Sequence, residues 1–190
     1  MLSNAAIVDA VAQMMEKHAI KTVVDPVMVA KSGDALLQPV ARNALIDRLL
    51  PLAFMVTPNV PEAEVIAEMP IRDAAEMRYA AEKIRAFGPQ YVLMKGGHLT
   101  ADDATDYLYD GESFVPFTSA RIDTRNTHGT GCTFSAAIAS YLARGFGAAA
   151  AVEAAKSYLS RAIEASLDLG EGHGPLNHGW SITPPVPESH

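Results

Sequence analysis

Cysteine is almost absent from this chain: Cys132 is the only one among 190 residues. No disulfide can form within the chain, which fits a reducing compartment such as the cytoplasm. No apolar run approaches the length needed to span a bilayer, and the first residues lack the basic and apolar regions of a signal peptide. We therefore expect a cytoplasmic protein that does not contact membranes.

Clustered positive charge is also missing. The formal net charge is −7, and the lysines and arginines are scattered singly. A nucleic-acid backbone is held by clustered basic residues, so nucleic acid is excluded as the main partner. A small anionic ligand could still bind through backbone amides and one or two cations.

Several well-known catalytic motifs are absent. The sequence contains no Walker A motif, no GxSxG nucleophile turn, no HExxH motif and no paired cysteines. P-loop nucleotide hydrolysis, serine hydrolysis and zinc catalysis are therefore not indicated.

Helix-like and strand-like segments alternate along the chain. KTVVDPVM, AFMVTPN and YVLMKGG read as strands. Helices are expected to begin near Asn4, Pro39 and Asp73, and Asp110-Gly111 predicts a hairpin turn. The first helix has an apolar face made of Ile7, Val8, Val11, Met14, Met15 and His18. This alternation predicts an α/β fold with a mostly parallel sheet covered on both faces. We expect one domain over residues 1–180 and a flexible tail over 181–190.

The residues with useful chemistry follow the predicted strands. Ligands of parallel sheets gather at the carboxyl ends of the strands, so these residues are expected to form one site. They are Asp25, Asn59 with Glu62, Lys95 to Gly97, and the turn from Gly129 to Cys132.

NTHGTGCTFSAAIA, residues 126–139, predicts a glycine-rich turn that leads into a helix. Gly129 and Gly131 permit tight turns and close approach of a ligand, and the helix N-terminus favours an anion. Cys132 falls in the first helical turn, where a thiolate is favoured. The alternative is a tight connection with a structural cysteine.

TPNVPEAE, residues 57–64, places Asn59 and Glu62 three residues apart at a strand-to-helix junction. Their oxygens could hold a magnesium ion through water, or they could simply cap the helix. Asp25 is either a metal or substrate partner or an ordinary turn residue. Lys95 is either a phosphate ligand or a solvated charge at the end of a strand.

These motifs together resemble a known family in order and spacing. VVDPVMVAKSGDALL, TPNVPEAE, VLMKGGH, DTRNTHGTGCTFSAA and GHGPLNH are similar to segments of the hydroxymethylpyrimidine/phosphomethylpyrimidine kinases of thiamin biosynthesis, which have a three-layer α/β/α ribokinase-like fold. The resemblance runs from residue 1 to about Trp180. GTGC with DPVMVAKSG separates the chain from sugar kinases of this fold, whose corresponding turn ends in an aspartate.

The resemblance implies ATP and Mg²⁺ as cofactors, a small pyrimidine as substrate, and a role for each matching residue. Cys132 would lie close to the attacking hydroxyl, and the amides of Gly129 to Cys132, with those of Gly129 and Gly131 among them, would hold the transferring phosphoryl group. The remaining implied roles are nucleotide binding by Lys95, Asn59, Thr127 and Thr130; magnesium binding by Glu62, Asn59 and Asp25; and substrate binding by Met1, Val27 and Asp25.

Members of that family carry a glycine-rich region before the position that Met1 matches. The resemblance therefore predicts a fold that lacks the family's N-terminal segment. The chain would correspond to the nucleotide-binding part of the family's enzymes, and its pyrimidine pocket would be incomplete. We expect a homo-oligomer that covers an exposed sheet edge. A pyridoxine or pyridoxal kinase stays an alternative, because some relatives share the GTGC turn. A nucleotide-binding fragment without catalytic activity is the other alternative.

Overall fold

A computed structural model describes residues 2–28, 37–96, 103–167, 169 and 171–182. Its helices are α1 (Ala5–His18), α2 (Pro39–Ala44), α3 (Val60–Ala67), α4 (Ala74–Arg85), α5 (Thr130–Ala143) and α6 (Ala148–Glu164). Its strands are β1 (Val23–Val24), β2 (Met55–Val56), β3 (Tyr91–Met94), β4 (Asp103–Tyr109) and β5 (Phe114–Ala120). A π-helical turn and a 3₁₀ turn, Leu45–Leu49 and Leu50–Leu52, join α2 to β2.

The strands form one sheet in the order β1-β2-β3-β4-β5. The first three strands are parallel, with Val23 opposite Met55 and Met55 opposite Tyr91. The β4–β5 hairpin then continues the sheet in antiparallel pairing, with Val92 opposite Tyr109. The carboxyl ends of β1, β2 and β3 consequently lie at one edge, where the site residues were predicted.

Helices cover both faces of the sheet. Successive residues of a strand point to opposite faces, so each strand contributes side chains to both cores. Val56 and Val92 face a core formed with α1 to α4, whereas their neighbours Met55 and Leu93 face a second core formed with α5 and α6. This arrangement confirms the predicted α/β fold of three layers.

Helix α1 begins where the sequence predicts, but its buried face is narrower than expected. The side chain of Asn4 accepts a hydrogen bond from the Ile7 backbone N–H at 3.0 Å, which caps the helix. The buried positions are Val8, Ala12 and Met15. Ile7 and Met14 were predicted to face the core but are 40% and 52% exposed, and His18 is also exposed. A single row of residues packs against α2 and the turns at Leu45–Leu49 and Leu50–Leu52, so apolar residues beside that row stay in solvent.

The second half of the fold follows the local signals closely. Asp73 caps α4 by accepting from the Glu76 backbone N–H at 2.8 Å. Gly88 follows the end of α4 with φ 120, a conformation that favours glycine. The predicted hairpin is confirmed, since Asp110 accepts from the backbone N–H groups of Glu112 and Ser113 in the β4–β5 turn.

Some predictions fall on residues that the structure does not describe. Met1, Gly97 and the tail over 183–190 lie outside the described residues. In the described part of the chain, none of the helices is both long and apolar enough to cross a membrane.

Candidate active site

The ends of the three parallel strands bring the predicted polar residues together. Asp25 directly follows β1, Asn59 follows β2 by three residues, and Lys95 directly follows β3. The Lys95 backbone N–H donates to the Pro58 carbonyl at 2.8 Å, and Asn59 forms a parallel bridge with Lys95. This backbone pairing extends the sheet by one residue and fixes the start of the Lys95 side chain.

Asp25 and Lys95 form an ion pair at this edge. The Lys95 Nζ lies 2.7 Å from Asp25 Oδ1, and the two side chains are 15% and 16% exposed. The Thr57 hydroxyl lies 3.2 Å from the same carboxylate oxygen and can donate to it. Asp25 and Lys95 were predicted as separate site residues, and in the structure each is the charge partner of the other. This pairing could not be predicted from the sequence, because the two positions lie 70 residues apart.

The glycine-rich turn ends at the first residues of α5. Gly129 is the N-terminal capping residue and has φ 81, in the left-handed region that favours glycine. The Thr130 hydroxyl donates to the Thr127 carbonyl at 3.2 Å, which closes the turn. Cys132 lies in the first turn of α5 with an exposed side chain. The unpaired N–H groups of this helix end form a site suited to an anion.

Gly131 lies between the turn and the ion pair, and its role differs from the prediction. Its backbone is part of α5, and unlike Gly129 it does not have positive φ, so a tight turn does not require glycine there. A β-carbon at this position would lie 3.5 Å from Lys95 Nζ and 3.9 Å from Asp25 Oδ2. Because Gly131 has no side chain, the space beside the Lys95 ammonium group stays open.

Asn59 and Glu62 form a reciprocal helix cap. Asn59 Oδ1 accepts from the Glu62 backbone N–H, and Glu62 Oε2 accepts from the Asn59 backbone N–H, both at 2.9 Å. The capping alternative that the sequence left open is thus present in the structure. Of the Asn59 and Glu62 oxygens, two are engaged in this cap, which limits what the pair can offer a metal directly.

Glu62 is an acid in an unfavourable environment. Its residue is 3% exposed, and burial raises the pKa of Glu62 above its usual value of 4.5. The Lys95 ammonium and the Asn59 backbone N–H oppose this rise in the pKa without cancelling it. A cation close to Glu62 would favour its ionised form.

Two hydroxyl groups that the sequence analysis did not single out lie behind the ion pair. Thr57 and Ser135 place their hydroxyl oxygens 2.9 Å apart, and Ser135 Oγ is 3.1 Å from the Gly131 carbonyl. Thr57 directly follows β2, and its position at a strand end was the only signal that could have pointed to it.

A second buried ion pair contacts the residue that follows Lys95. Lys156 Nζ is 2.6 Å from Asp106 Oδ2, with the side chains 9% and 11% exposed, and Asp106 Oδ1 accepts from the Gly96 backbone N–H at 3.1 Å. This pair fixes the residue next to Lys95. The signal in the sequence is a lysine four residues after Val152 on the buried face of α6.

Metal-binding capacity at the site is limited to a few oxygen ligands. In the ranges that the structure describes, no group of three or more His, Cys, Asp or Glu side chains could hold a metal ion. Asp25 and Glu62 remain as the two carboxylates close to Lys95. Val27 is half-buried two residues beyond Asp25, where the Val27 backbone N–H donates to the Asp25 carbonyl at 2.9 Å.

Known structures share this arrangement of strands and helices. The pyridoxal kinase from Staphylococcus aureus in complex with AMP-PCP superposes with a TM-score of 0.88 at 36% identity, covering 96% of this chain and 67% of that chain. The phosphomethylpyrimidine kinase from Clostridium difficile 630 superposes with a TM-score of 0.75 at 41% identity, covering 86% of this chain and 66% of that chain. The fold is therefore that of the ribokinase-like small-molecule kinases, as predicted.

Sequence comparison narrows this class. The family model described as phosphomethylpyrimidine kinase matches residues 1–177. The hydroxymethylpyrimidine/phosphomethylpyrimidine kinase of Rhizobium meliloti is 50% identical over 181 residues, which cover 94% of this chain and 68% of the relative. The chain belongs to the hydroxymethylpyrimidine/phosphomethylpyrimidine kinase family.

The matched length differs between relatives. The chain spans about two thirds of the Rhizobium meliloti kinase and 36% of the thiamine biosynthesis bifunctional protein ThiED of Geobacter sulfurreducens, to which it is 48% identical. The activity of these longer relatives is therefore assigned to this chain only as a proposal.

Proposed function

We propose that this protein is an ATP-dependent kinase that phosphorylates 4-amino-5-hydroxymethyl-2-methylpyrimidine and its monophosphate. The observation that carries the proposal is the position of the α5 N-terminus. Its first turn lies against the Lys95–Asp25 pair, since a β-carbon on Gly131 would be 3.5 Å from Lys95 Nζ. A phosphate there meets both the helix N–H groups and an ammonium group.

Backbone groups and side chains at this edge both have roles in the proposed reaction. The backbone N–H groups from Gly129 to Cys132 stabilise the charge of the transferring phosphoryl group, which is the main task of a phosphotransferase site. Lys95 binds the nucleotide phosphates. Cys132 approaches the attacking hydroxyl as the acid–base group, because its thiol is exposed in the same turn. Thr127, Thr130 and Asn59 support the turn and the nucleotide side.

Magnesium fits the oxygen ligands of the site, though not as a fully enclosed ion. Magnesium is usually bound by one or two carboxylates together with water and substrate phosphates. Asp25 and Glu62 supply two carboxylates, and a nearby cation would offset the burial that raises the pKa of Glu62. Asn59 contributes chiefly by holding Glu62 through the helix cap. The ion supplies neutralisation of phosphate charge when it is bound.

Val27 and Asp25 lie at the carboxyl edge and are assigned to the pyrimidine pocket, and Met1 is assigned there only by its match to the family. Pyridoxal is the second candidate substrate, because pyridoxal kinases are among the structural relatives. A cytoplasmic location and a homo-oligomeric state are further parts of the proposal.

Coupled ADP-release assays test this function directly. The purified protein is given Mg²⁺ and ATP with the hydroxymethylpyrimidine, its monophosphate or pyridoxal in separate reactions. We expect ADP release that depends on the added hydroxymethylpyrimidine or its monophosphate. Lys95→Met should abolish it, whereas Lys83→Met should not, because the Lys83 ammonium donates to the Ala67 carbonyl at the C-terminal end of α3.

Two results would redirect the proposal. Turnover with pyridoxal alone would move the protein to the second candidate. Calorimetric binding of ADP without turnover on any of the three substrates would overturn the kinase proposal and support a nucleotide-binding protein without catalytic activity.

A further inference from the structure

A row of polar atoms connects the ion pair to the first turn of α5. It runs from Lys95 Nζ through Asp25 Oδ1, Thr57 Oγ1 and Ser135 Oγ to the Gly131 carbonyl, with successive separations of 2.7, 3.2, 2.9 and 3.1 Å. Thr57 is fully buried and Ser135 is 7% exposed. The row therefore joins three strand ends to the proposed phosphate-binding turn through the protein interior.

The hydroxyl groups in this row cannot satisfy all of its contacts at once. Thr57 and Ser135 each carry one hydroxyl proton, while an ionised Asp25 and the Gly131 carbonyl can only accept. Three contacts therefore share two protons. In one arrangement Thr57 donates to Asp25 and Ser135 donates to Thr57. In the second Thr57 donates to Ser135, and Ser135 donates to the Gly131 carbonyl. A third, in which Thr57 donates to Asp25 and Ser135 to the Gly131 carbonyl, is disfavoured because it leaves two hydroxyl oxygens 2.9 Å apart with no proton between them.

The charge partner of Asp25 selects between these two arrangements. While Lys95 donates to Asp25, the carboxylate is compensated and Thr57 is free to donate to Ser135. When Lys95 turns towards a nucleotide phosphate, the buried carboxylate needs the Thr57 proton more, because an uncompensated buried charge is unfavourable. Ser135 then donates to Thr57 and releases the Gly131 carbonyl.

We propose that Thr57 and Ser135 form a hydroxyl relay that adjusts the first turn of α5 to the position of Lys95. Both are positioning residues that act on phosphate binding through Lys95 and Gly131, and neither has to touch the nucleotide. This inference rests on the proposed nucleotide binding. It assigns a role to two buried, hydrogen-bonded hydroxyls to which the proposed function gives none.

A purely structural role for the hydroxyls makes a different prediction. Removing a buried hydrogen bond that only stabilises the fold costs about 0.5–1.5 kcal/mol of stability. Nucleotide affinity would then stay the same in the variant, and the loss would not depend on Lys95. The relay instead predicts a change in affinity that requires Lys95.

Calorimetric titration of the purified protein with ADP and Mg²⁺ distinguishes the two. We expect Thr57→Val and Ser135→Ala each to weaken ADP binding by about 5- to 10-fold, near the lower end of the usual range for coupled sites. Thr57→Ser keeps the hydroxyl and should bind ADP as the wild type does. In a Lys95→Met background, Thr57→Val should cause no further loss, because contacting residues in one network are not additive.

Ser140→Ala is the matched control. The Ser140 hydroxyl donates to the Ala136 carbonyl at 2.9 Å on the same helix, the same kind of bond as that of Ser135, but on the exposed face. Its removal should leave ADP binding unchanged. Should Thr57→Val fail to fold, Ser135→Ala alone and combined with Lys95→Met gives the same cycle.

Three results overturn the relay, and they are distinguishable. If the wild type does not bind ADP, both the proposed function and the relay fail. If Lys95→Met weakens binding while Thr57→Val and Ser135→Ala bind normally, only the relay fails. If the effects of Thr57→Val and Lys95→Met simply add, the hydroxyls act independently of Lys95 and the relay is again wrong.

Discussion

Cys132 is an exposed thiol in the first turn of α5, next to the N–H groups proposed to bind phosphate. A thiol so placed can exchange a proton with a bound hydroxyl, whereas a buried thiol serves mainly as a small apolar side chain. Its exposure removes the packing explanation that the sequence alone left open. The test of its role is therefore kinetic.

Cys132→Ala should lower kcat by about 100-fold or more, the scale of losing an acid–base group. Nucleotide affinity should change little, because the backbone N–H groups remain. Steady-state assays with the pyrimidine substrate and calorimetry with ADP measure the two effects separately. Ser140→Ala, farther along the same helix, is the control and should keep full activity. Near-normal kcat in Cys132→Ala would exclude an acid–base role.

We expect the buried carboxylate of Glu62 to lower the stability of the fold while contributing to metal binding. Its pKa is higher in the folded protein than its usual value of 4.5, so the folded state holds the proton more tightly than the unfolded chain. Stability is therefore greatest below that value, falls as the pH rises to the folded pKa, and stays reduced above it. Glutamine keeps the oxygen that accepts from the Asn59 N–H and carries no charge.

Glu62→Gln should therefore unfold at higher urea concentration than the wild type at pH 7, with the difference shrinking as the pH falls from the raised pKa of folded Glu62 towards 4.5. The same variant should bind ADP with Mg²⁺ less tightly. Glu76→Gln is the matched control, because Glu76 occupies the same position after the cap of α4 but is only half-buried. Lower stability of Glu62→Gln at pH 7 would contradict the assignment of burial as the dominant effect.

The N-terminal turn of α5 is the element on which phosphate binding depends. Gly129 supplies the left-handed backbone at its start, and Gly131 supplies space beside Lys95. Glycine inside a helix is less favourable than alanine by roughly 1 kcal/mol. At position 131 this cost comes with open space beside Lys95, which a β-carbon would narrow and a branched side chain would fill.

Gly131→Val should weaken ADP binding by at least about tenfold, equivalent to 1.4 kcal/mol, because its branched side chain crowds Lys95. Gly131→Ala is the matched control: its β-carbon would make an ordinary contact 3.5 Å from Lys95 Nζ. Alanine should raise the melting temperature and bind nearly normally. Equal affinity in the folded valine variant would exclude phosphate binding beside Gly131.

At the scale of the whole molecule, the Asp106–Lys156 pair connects parts that are distant in sequence. It joins β4 to α6, and through the Gly96 N–H it reaches the end of β3 beside the site. A β-carbon on Gly96 would collide with the Thr105 carbonyl oxygen, so β3 and β4 approach closely there. The placement of Lys95 therefore depends on the packing of α6.

Lys156→Met should lower the free energy of unfolding by about 3–5 kcal/mol, because it leaves a buried carboxylate without its partner. Asp106→Asn in the same chain should recover part of this loss by removing the charge. Arg78→Met, which breaks an exposed pair with Glu82 at 3.3 Å, is the control and should cost at most about 1 kcal/mol. Urea unfolding measures all three variants. A loss in Lys156→Met no larger than in Arg78→Met would contradict the buried-charge argument.

The sequence by itself determined the features that depend on neighbouring residues. The caps at Asn4 and Asp73 and the turn at Asp110 were predicted correctly, because each is formed by hydrogen bonds within a few residues. The convergence of Asp25 and Lys95 on one edge also followed from the rule for parallel strands. The motifs were sufficient to indicate the family.

Only the tertiary structure decided which polar groups became partners. The sequence placed Asp25 and Lys95 at one edge but could not show that they neutralise each other, because side-chain pairing depends on strand register and on helix packing. The same holds for Thr57 with Ser135, 78 residues apart, and for the exposed Ile7 on α1. Periodicity identifies a helix face, but the width of the face that is buried depends on the surface against which the helix packs.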